Sequence, residues 1–281
     1  SNPAGAVESF GGVARNIAEN LARMGAAVSL ITALGKDSSG RALLAQLDTV
    51  DIDTRGALLL DDAASGTYTA VLDVDGQMAV ALADMALYDR ITPAFLALRR
   101  QQRATASLIV ADLNLTLDAI QTLQQDAAQD GVDLVIVAVS EPKMQRLPAS
   151  LHGVRLLILN EGELAARLGR DLQGDDALAA ACRELQAQGA QDVVVTLGAR
   201  GVLFTNANGA VERLDAPPAE VVDVTGAGDA FSAGLVLSLH SGGADLALAC
   251  RRGLQLAALT IGCRETVCQN LAPDTFGALI Q

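Results

Sequence analysis

The sequence predicts a three-layer α/β/α sandwich with a mainly parallel sheet, together with a small, separate β-sheet. After Tyr88, short apolar runs alternate with stretches of helical periodicity. Strands that are apolar at nearly every position are typical of parallel strands buried on both faces. Residues 66–83 differ, because two β-rich runs there flank Asp75-Gly76, which is a strong hairpin signal.

The first elements of the chain are a helix, a strand and a second helix. Apolar residues recur at helical spacing from Val13, and Gly25 ends this helix. A strand over 26–33 follows. The second helix opens at about residues 37–38 and runs to about Leu47.

The hairpin and the short apolar runs 7–10 and 58–60 are predicted to pair with one another and to form a lid. The predicted lid therefore comprises residues 1–10 and 58–84, and the predicted core comprises residues 11–57 and 85–281.

The second half of the chain supplies the rest of the sandwich. In chain order we predict helix 93–102, strand 107–111, helix 116–129, strands 134–139 and 155–159, helices 161–168 and 175–188, strand 192–197, a hairpin of 201–205 and 210–214, a helix from about 229, and a last helix 244–261. In such a fold, ligands bind at the carboxyl ends of the strands.

Net charge and hydropathy argue against two classes of binding partner, nucleic acids and membranes. The 281 residues carry a formal net charge of −13, which argues against a nucleic-acid or anionic-membrane surface. No apolar stretch is long enough to span a bilayer. We therefore expect no nucleic-acid partner and no membrane partner. Any bound phosphate must be met locally by backbone dipoles, a few arginines and a cation.

The cysteines and histidines give no signature of a metal site or a hydrolase. No Cys-x-x-Cys pair occurs, and the two histidines do not lie beside a nucleophile motif. We expect the four cysteines, Cys182, Cys250, Cys263 and Cys268, to be buried, reduced thiols in a cytoplasmic protein. The two histidines are His152 and His240.

The most informative segment is 223–234, where a β-branched run gives way to Gly226-Ala227-Gly228 and then to a helix. Glycines at a strand-to-helix turn let backbone N–H groups converge on an anion at the positive end of the helix. A carboxylate at this position would repel a bound anion, so its presence needs an explanation. One explanation is that it takes a proton from an attacking hydroxyl, and Asp229 is the candidate for this role. The alternative is an ordinary N-capping aspartate.

Two other phosphate-binding motifs are excluded. A P-loop needs Gly-x-x-x-x-Gly-Lys, and the two lysines of the chain, Lys36 and Lys143, do not occupy that frame. A dinucleotide fingerprint needs a third glycine where Phe231 stands.

Four weaker signals accompany this segment, and each of them is expected to follow a strand. Each alone is compatible with a helix start, a capping pair or a turn. They are Gly11-Gly12 with Asn16, Asn160 with Glu163, the loop of Thr196, Gly198 and Gly201, and the pair Asp223 and Thr225.

With these motifs, the chain resembles the ribokinase family of carbohydrate and nucleoside kinases, also called the pfkB family. The two segments that carry the resemblance are Gly11-Gly12 to Gly35 and Asp223 to Gly234. The resemblance implies the ribokinase-like fold, with ATP and Mg²⁺ as cofactors and K⁺ as a further candidate.

The resemblance also implies roles for individual residues. Asp229 would be the catalytic base, and the amides of Gly226, Ala227, Gly228 and Asp229 would form the anion hole. ATP would contact Asn160, Thr196, Gly198, Gly201, Gly226 and Gly228. Mg²⁺ would be held through water by Asn160 and Glu163, and a monovalent cation by Asp223 and Thr225. Substrate contacts would come from Gly11, Gly12, Asn16 and Asp84.

Within this family, further residues are similar to the pseudouridine kinases. They are Ser1-Asn2-Pro3, Arg15-Asn16-Ile17-Ala18, Asn20-Leu21-Ala22, Asp84-Met85, Ile91-Thr92, Asp112, Asn114, Ser140 and Lys143. Two features depart from the pattern. Val137-Ala138 stands where Asp-Pro is expected, and the family's first strand, with its Asn-x-Asp segment, is not found in these 281 residues.

The implied reaction moves the γ-phosphoryl of ATP to a primary hydroxyl of a ribose-containing acceptor, pseudouridine first. We expect the helix dipole to keep Asp229 ionised, the small sheet to cover the acceptor, and a homodimer to form through this lid. The alternatives are another sugar kinase of the family (ribokinase, fructokinase or a purine nucleoside kinase), and an inactive sugar or nucleotide sensor. A nicotinamide oxidoreductase is disfavoured by the missing third glycine.

Overall fold

The computed structural model describes residues 8–73, 78–206, 208–241 and 244–279. The α-helices are α1 (Val13–Arg23), α2 (Ser38–Asp48), α3 (Pro93–Ala97), α4 (Arg100–Ala104), α5 (Leu117–Asp130), α6 (Glu161–Leu168), α7 (Gly174–Ala187), α8 (Ala227–His240), α9 (Leu246–Ile261) and α10 (Pro273–Leu279). The strands are β1 (Ala33–Gly35), β2 (Leu58–Leu60), β3 (Thr67–Leu72), β4 (Met78–Asp84), β5 (Leu108–Asp112), β6 (Asp133–Val137), β7 (Val154–Asn160), β8 (Asp192–Thr196), β9 (Val202–Thr205) and β10 (Val211–Leu214).

The central sheet has the strand order β10-β9-β8-β7-β6-β5. Strands β5 to β8 run parallel, whereas β9 and β10 are antiparallel additions at one edge. The carboxyl ends of the four parallel strands therefore meet along one side of the sheet. On that side Asn160 and Thr196, which end β7 and β8, are register partners.

Both faces of this sheet are covered by helices, as the sequence predicts. Leu157 and Leu159 of β7 belong to a core that includes side chains of α5 and α7. Leu156 and Ile158 of the same strand belong to a second core with α1, α8 and α9. Because neighbouring residues point to opposite faces of a strand, the central residues 156–159 of β7 are all apolar and buried, and the predicted sandwich is confirmed.

Two small sheets lie apart from the central one. Strands β3 and β4 form the predicted antiparallel hairpin, while its proposed turn at Asp75-Gly76 lies outside the described residues. The expectation that residues 58–60 join the hairpin is wrong, because β2 pairs in parallel with β1 instead. Of the run 7–10, residue 7 lies outside the described part, and residues 8–10 form no strand.

Two predicted elements are shorter than expected. In the predicted strand 26–33, regular pairing begins only at Ala33, preceded by a single bridge between Ser29 and Asp53. The predicted helix 93–102 is divided into α3 and α4. In a continuous α-helix the Leu96 carbonyl would accept a hydrogen bond from the amide of residue 100. Here it accepts instead from the Arg99 amide at 2.9 Å and from the Arg103 guanidinium. Helix α10 was not predicted.

The cysteines correct one expectation. Cys263 and Cys268 are joined by a disulfide. Cys182 and Cys250 are buried free thiols, as predicted. Within the described ranges, no helix combines the length and apolar character needed to cross a bilayer.

Candidate active site

The glycine turn before α8 has a backbone that a larger residue would not adopt. Gly226 has φ +85°, in the left-handed region, and a side chain there would overlap the backbone carbonyl of Thr266. The regular helical bonds begin with Ala230 N–H, which donates to the Gly226 carbonyl at 2.9 Å. The amides of Gly228 and Asp229 therefore lie in the first turn, where helix N–H groups lack intrahelical partners.

The amide of Ala227 is placed differently from its neighbours. It donates to the carbonyl of Val224 at 3.2 Å, inside the turn itself. Of the predicted anion-hole amides, those of Gly228 and Asp229 are therefore better placed to meet a ligand than that of Ala227.

Asp229 and Asn16 are brought together from opposite ends of the chain. Asn16 Nδ2 donates to Asp229 Oδ2 at 2.6 Å, across 213 residues of sequence. Asn16 is buried in the first turn and a half of α1, and its Oδ1 lies 3.2 Å from Thr266 Oγ1. Both ends of the Asn16 amide are thus engaged, which fixes its orientation toward the carboxylate.

The surroundings of Asp229 change its protonation. Burial raises the pKa of the Asp229 carboxyl from its ordinary 3.8 to about 7, while the hydrogen bond from Asn16 acts in the opposite direction. The nearby Asp112 raises this pKa further, and Arg15 lowers it. With a pKa of about 7, Asp229 is only partly ionised near neutral pH, so the helix dipole does not keep it fully ionised as expected, because the loss of hydration acts against the charged form.

Arg15 supports the glycine pair that precedes α1. It is buried and forms an ion pair with Glu19, one turn further along the helix. Its Nε donates to the Gly11 carbonyl at 3.1 Å. Gly12 is the N-cap of α1 with φ +102°, so this exposed segment is held at its base by a buried cation.

Asn160 and Glu163 form a capping box at the start of α6. Asn160 Oδ1 accepts from the Glu163 amide at 2.8 Å, and Glu163 Oε2 accepts from the Asn160 amide at 2.7 Å. The two side chains therefore do cap the helix, as the alternative interpretation of this pair predicted. It also places both side chains at the positive end of a helix, beside Thr196.

The loop after β8 closes tightly. Leu197 N–H donates to the Gly201 carbonyl at 2.8 Å, and Gly198 and Gly201 both have positive φ. A side chain at Gly201 would overlap the carbonyl of Leu214, so the loop lies directly against β10.

Asp223 and Thr225 lie near the end of α9. Asp223 Oδ1 accepts from the Thr225 amide at 2.8 Å. The amides of Val222 and Asp223 donate to the Ile261 carbonyl at 2.7 and 3.1 Å. This segment therefore joins the glycine turn to the helix packed behind it.

The comparison with protein families agrees with this geometry. The model of the pfkB family carbohydrate kinases matches residues 2–271. The chain belongs to that family.

Individual relatives are kinases of sugars and nucleosides. The pseudouridine kinase of Escherichia coli (strain K12) is 32% identical over 235 residues, which span 84% of this chain and 74% of the relative. A carbohydrate kinase structure from Agrobacterium tumefaciens has a TM-score of 0.85 and 31% identity, and the match covers 100% of this chain and 89% of that one. A ribokinase of Arabidopsis thaliana, complexed with ribose and ATP, has a TM-score of 0.82 at 18% identity, covering 96% and 87%. This pfkB kinase is accordingly a phosphotransferase that acts on an alcohol group of a sugar or nucleoside.

One polar network of this pfkB kinase was not given a role by the sequence. Asp112, at the carboxyl end of β5, accepts from the Ala14 amide and from Asn114 Nδ2, both at 3.1 Å. Lys143 Nζ donates to Asn114 Oδ1 at 2.9 Å. Asp112 and Asn114 carry a signal that could have found them, because Asp112 ends a parallel strand and Asn114 follows two residues later, at the edge where ligands bind in this fold class.

The remaining predicted residue, Asp84, is exposed at the end of β4 and pairs with Thr67 in the hairpin. It belongs to the β3–β4 hairpin, whereas Asp229 lies at the start of α8.

The donor set near α6 fits a hydrated magnesium ion. Glu163 is buried close to Glu141, and burial and this like charge raise the pKa of Glu163. A divalent cation beside them would relieve the repulsion. No group of three or more His, Cys, Asp or Glu side chains suited to a metal occurs among the residues described. The ion would therefore keep water and phosphate as its main ligands, as Mg²⁺ prefers.

Proposed function

We propose that the protein transfers the γ-phosphoryl of ATP to the primary hydroxyl of a ribose-containing acceptor, pseudouridine first. The observation that carries this proposal is the Asn16–Asp229 hydrogen bond of 2.6 Å beside the glycine turn of α8. It places an oriented carboxylate next to free helix amides. The similarity to a pseudouridine kinase supports the choice of acceptor.

In this mechanism Asp229 accepts the proton of the attacking hydroxyl. Its raised pKa is suited to the task, because a base that titrates near neutral pH both ionises and holds a proton. Negative charge on the migrating phosphoryl group meets the amides of Gly228 and Asp229 and the turn at Gly226, with Ala227 behind them. Asn16 keeps the carboxylate in position, so we assign it a positioning role besides its predicted contact with the acceptor.

The nucleotide lies, in this proposal, along the ends of β7 and β8. Asn160, Thr196, Gly198 and Gly201 would contact ATP. Mg²⁺ would be held through water by Asn160 and Glu163, and when bound it neutralises charge on the phosphates. Asp223 and Thr225 would hold a monovalent cation such as K⁺ behind the glycine turn.

The acceptor would lie between Gly11, Gly12 and Asn16 on the core and Asp84 on the lid. Closure of the lid would exclude water and so limit ATP hydrolysis. Among its described side chains, the hairpin exposes large apolar or aromatic groups, which supports a homodimer that forms through the lid. They are Tyr68, Val71, Val80 and Leu82. A cytoplasmic location, where ATP is supplied, is part of the same proposal.

The test is a phosphorylation assay of the full-length protein with ATP and Mg²⁺ over pseudouridine, uridine, ribose, fructose and adenosine. We expect pseudouridine to have the highest kcat/KM and a 5′-phosphate product. If kcat/KM is higher for ribose, fructose or adenosine, that compound and not pseudouridine is the preferred acceptor. Binding of acceptor and ATP without any phosphorylated product would instead support the sensor and overturn the kinase.

A further inference from the structure

The disulfide between Cys263 and Cys268 closes a short loop directly after α9. Cys263 is partly exposed and two exposed residues follow it, whereas Cys268 belongs to the buried core shared with α8 and α9. The loop is therefore anchored at one end and open to solvent at the other. A small thiol in solution has access to the bond from the Cys263 side.

Thr266 lies inside this loop and contacts both halves of the proposed site. Its Oγ1 lies 3.2 Å from Asn16 Oδ1, at the other end of the amide whose Nδ2 donates to Asp229. It also accepts from Arg15 Nη2 at 3.2 Å. The main-chain carbonyl of Thr266 packs so closely on Gly226 that a side chain there would overlap it. One residue of the loop thus supports both the carboxylate and the glycine turn.

The hydroxyl of Thr266 fixes which end of the Asn16 amide faces the carboxylate. An ionised carboxylate accepts hydrogen bonds and cannot donate one, so Asp229 needs the NH2 end of the amide. A hydroxyl that donates to Asn16 Oδ1 favours the same orientation from the other end. Its one hydrogen has a second acceptor within reach, the Phe10 carbonyl at 3.0 Å. Donation to Asn16 therefore depends on where the loop holds Thr266.

This loop is the part of the site whose covalent structure can change. In the cytoplasm, the compartment of the proposed function, disulfides are usually transient or redox-sensing. Cys182 and Cys250 are free thiols with 0% exposure, so they do not compete for the same chemistry. An external dithiol reduces the S–S bond by passing two electrons and two protons to the two sulfurs, and is itself oxidised to a disulfide. The loop then loses its covalent closure.

We propose that Thr266 is a positioning residue of the phosphoryl-transfer site, and that the Cys263–Cys268 disulfide couples its position to the redox state. The oxidised protein holds Thr266 against Asn16 and Gly226 and has the higher turnover. The dithiol form, made by a dithiol reductant, supports the same groups less firmly and has the lower turnover. The inference rests on the proposed function, since it concerns the support of the proposed base.

The first test compares the two redox states of the wild type and needs no variant. The protein is oxidised in air or treated with dithiothreitol, the reductant is removed, and kcat is measured with ATP and the acceptor that the wild type phosphorylates best. A misplacement of about 1 Å can cost up to about a hundred-fold, and Thr266 acts through Asn16, so we expect reduction to lower kcat about three- to tenfold. The KM for ATP should change less than about twofold. Reoxidation should restore kcat.

The pH profile separates a positioning role from a general loss of stability. The hydrogen bond from Asn16 lowers the pKa of Asp229, and Thr266 orients Asn16 for that bond. Reduction should therefore move the rise of kcat/KM to higher pH. A loosened fold without this role would lower kcat/KM by the same factor at every pH, and that result would overturn the inference.

Two variants repeat the test without a change of solution. Thr266→Val keeps the shape and removes the hydroxyl, so the oxidised variant should show the lower kcat and the shifted profile, while Thr266→Ser should retain the wild-type values. Cys263→Ser combined with Cys268→Ser should have the kcat of the reduced wild type and no response to dithiothreitol. Asp215→Asn, which keeps the disulfide, is the matched control and should respond to dithiothreitol as the wild type does.

Labelling with iodoacetamide, read by mass spectrometry, verifies the two states. In the native reduced protein Cys263 and Cys268 should react, whereas Cys182 and Cys250 should react only after denaturation. Free Cys263 and Cys268 in the oxidised protein, or an equal or higher kcat after reduction, would overturn the inference while the proposed function stands. If neither state forms a phosphorylated product from any of the five acceptors, the proposed function fails and the inference fails with it.

Discussion

The proposed catalytic end of the molecule, around Asn16 and Asp229, and the hairpin β3–β4 are built in opposite ways. At the catalytic end, three segments far apart in sequence interlock through Asn16, Asp229 and Thr266. The hairpin forms a sheet of only two strands, with Val80 and Leu82 exposed by 50% and 61%. In terms of the proposed function, the difference teaches that the groups proposed to stabilise charge are preorganised, whereas the hairpin proposed to cover the acceptor has little support around it.

Physical reasons favour this division. Donors and a base act best when they need no rearrangement during the reaction, so their supports are buried. A two-stranded hairpin alone is marginally stable in water, and a segment of low local stability is what a closing lid requires. Substitutions at the two regions should therefore have different kinetic effects.

The largest effect is expected from Asp229→Asn, which breaks the catalytic end at its proposed base. We expect kcat to fall on the order of a hundred-fold or more, with the Kd for ATP little changed. Single-turnover kinetics and ATP titration measure the two quantities. Asp215→Asn, at a side chain that is 92% exposed, is the control. Turnover equal to that of the wild type would remove Asp229 from the mechanism.

Gly226→Ala should disturb the anion-binding turn. The new side chain would overlap the Thr266 carbonyl and would occupy a backbone with φ +85°. We expect kcat to fall about tenfold or more and the free energy of unfolding to drop by roughly 1–3 kcal/mol. Chemical denaturation and steady-state kinetics test this. Gly131→Ala has a positive φ of 69° but open space around it, so it should show the smaller stability loss and normal kcat.

Asn16→Ala should change the pH profile as well as the rate. Because Asp229 accepts a proton only when ionised, kcat/KM of the wild type should rise with pH through about 7 and then level off. Removal of the Asn16 donor raises the pKa of Asp229 further, so the rise should move to higher pH, with kcat about tenfold lower near neutral pH.

The control for that experiment is Asn20→Ala, one turn along α1. Asn20 Nδ2 donates to the Asn16 carbonyl and not to Asp229. We expect it to lower stability and to leave the pH profile in place. Identical profiles for wild type and Asn16→Ala would contradict the positioning role.

The smallest effect is expected from Val80→Ser combined with Leu82→Ser on the hairpin. Because both side chains are exposed, the free energy of unfolding should change by less than about 0.5 kcal/mol. The KM for the acceptor should rise a few-fold, with kcat nearly unchanged, and sedimentation should show a weaker dimer. Leu98→Ser, at a site 76% exposed outside the hairpin, is the control. An unchanged sedimentation profile and KM would argue against the lid dimer.

Periodicity was enough to predict the sandwich, because strands such as β7 must be apolar on both faces. Periodicity was not enough to predict which strand pairs with β2. Its three consecutive leucines do not alternate with polar residues, so the pattern selects neither a buried face nor a neighbouring strand. The disulfide between Cys263 and Cys268 was missed for a related reason. A separation of five residues matches no recognised spacing, so the pairing depends on how the chain folds after α9.

For the candidate site, local motifs indicated Asp229, the glycine turn and the Asn160–Glu163 pair. The Asn16–Asp229 bond required the structure, because no pattern in the chain links residues 213 apart. The pKa of Asp229 required it too. A helix dipole can be inferred from sequence, whereas burial by distant segments cannot. The roles of these residues stay predictions until the variants are measured.

The long-range bond between Asn16 and Asp229 also has a consequence during synthesis. A ribosome that has made α1 must add more than two hundred residues before Asp229 stands opposite Asn16. If Asp229 is the base, as proposed, a nascent chain has no complete phosphoryl-transfer site until synthesis is nearly finished.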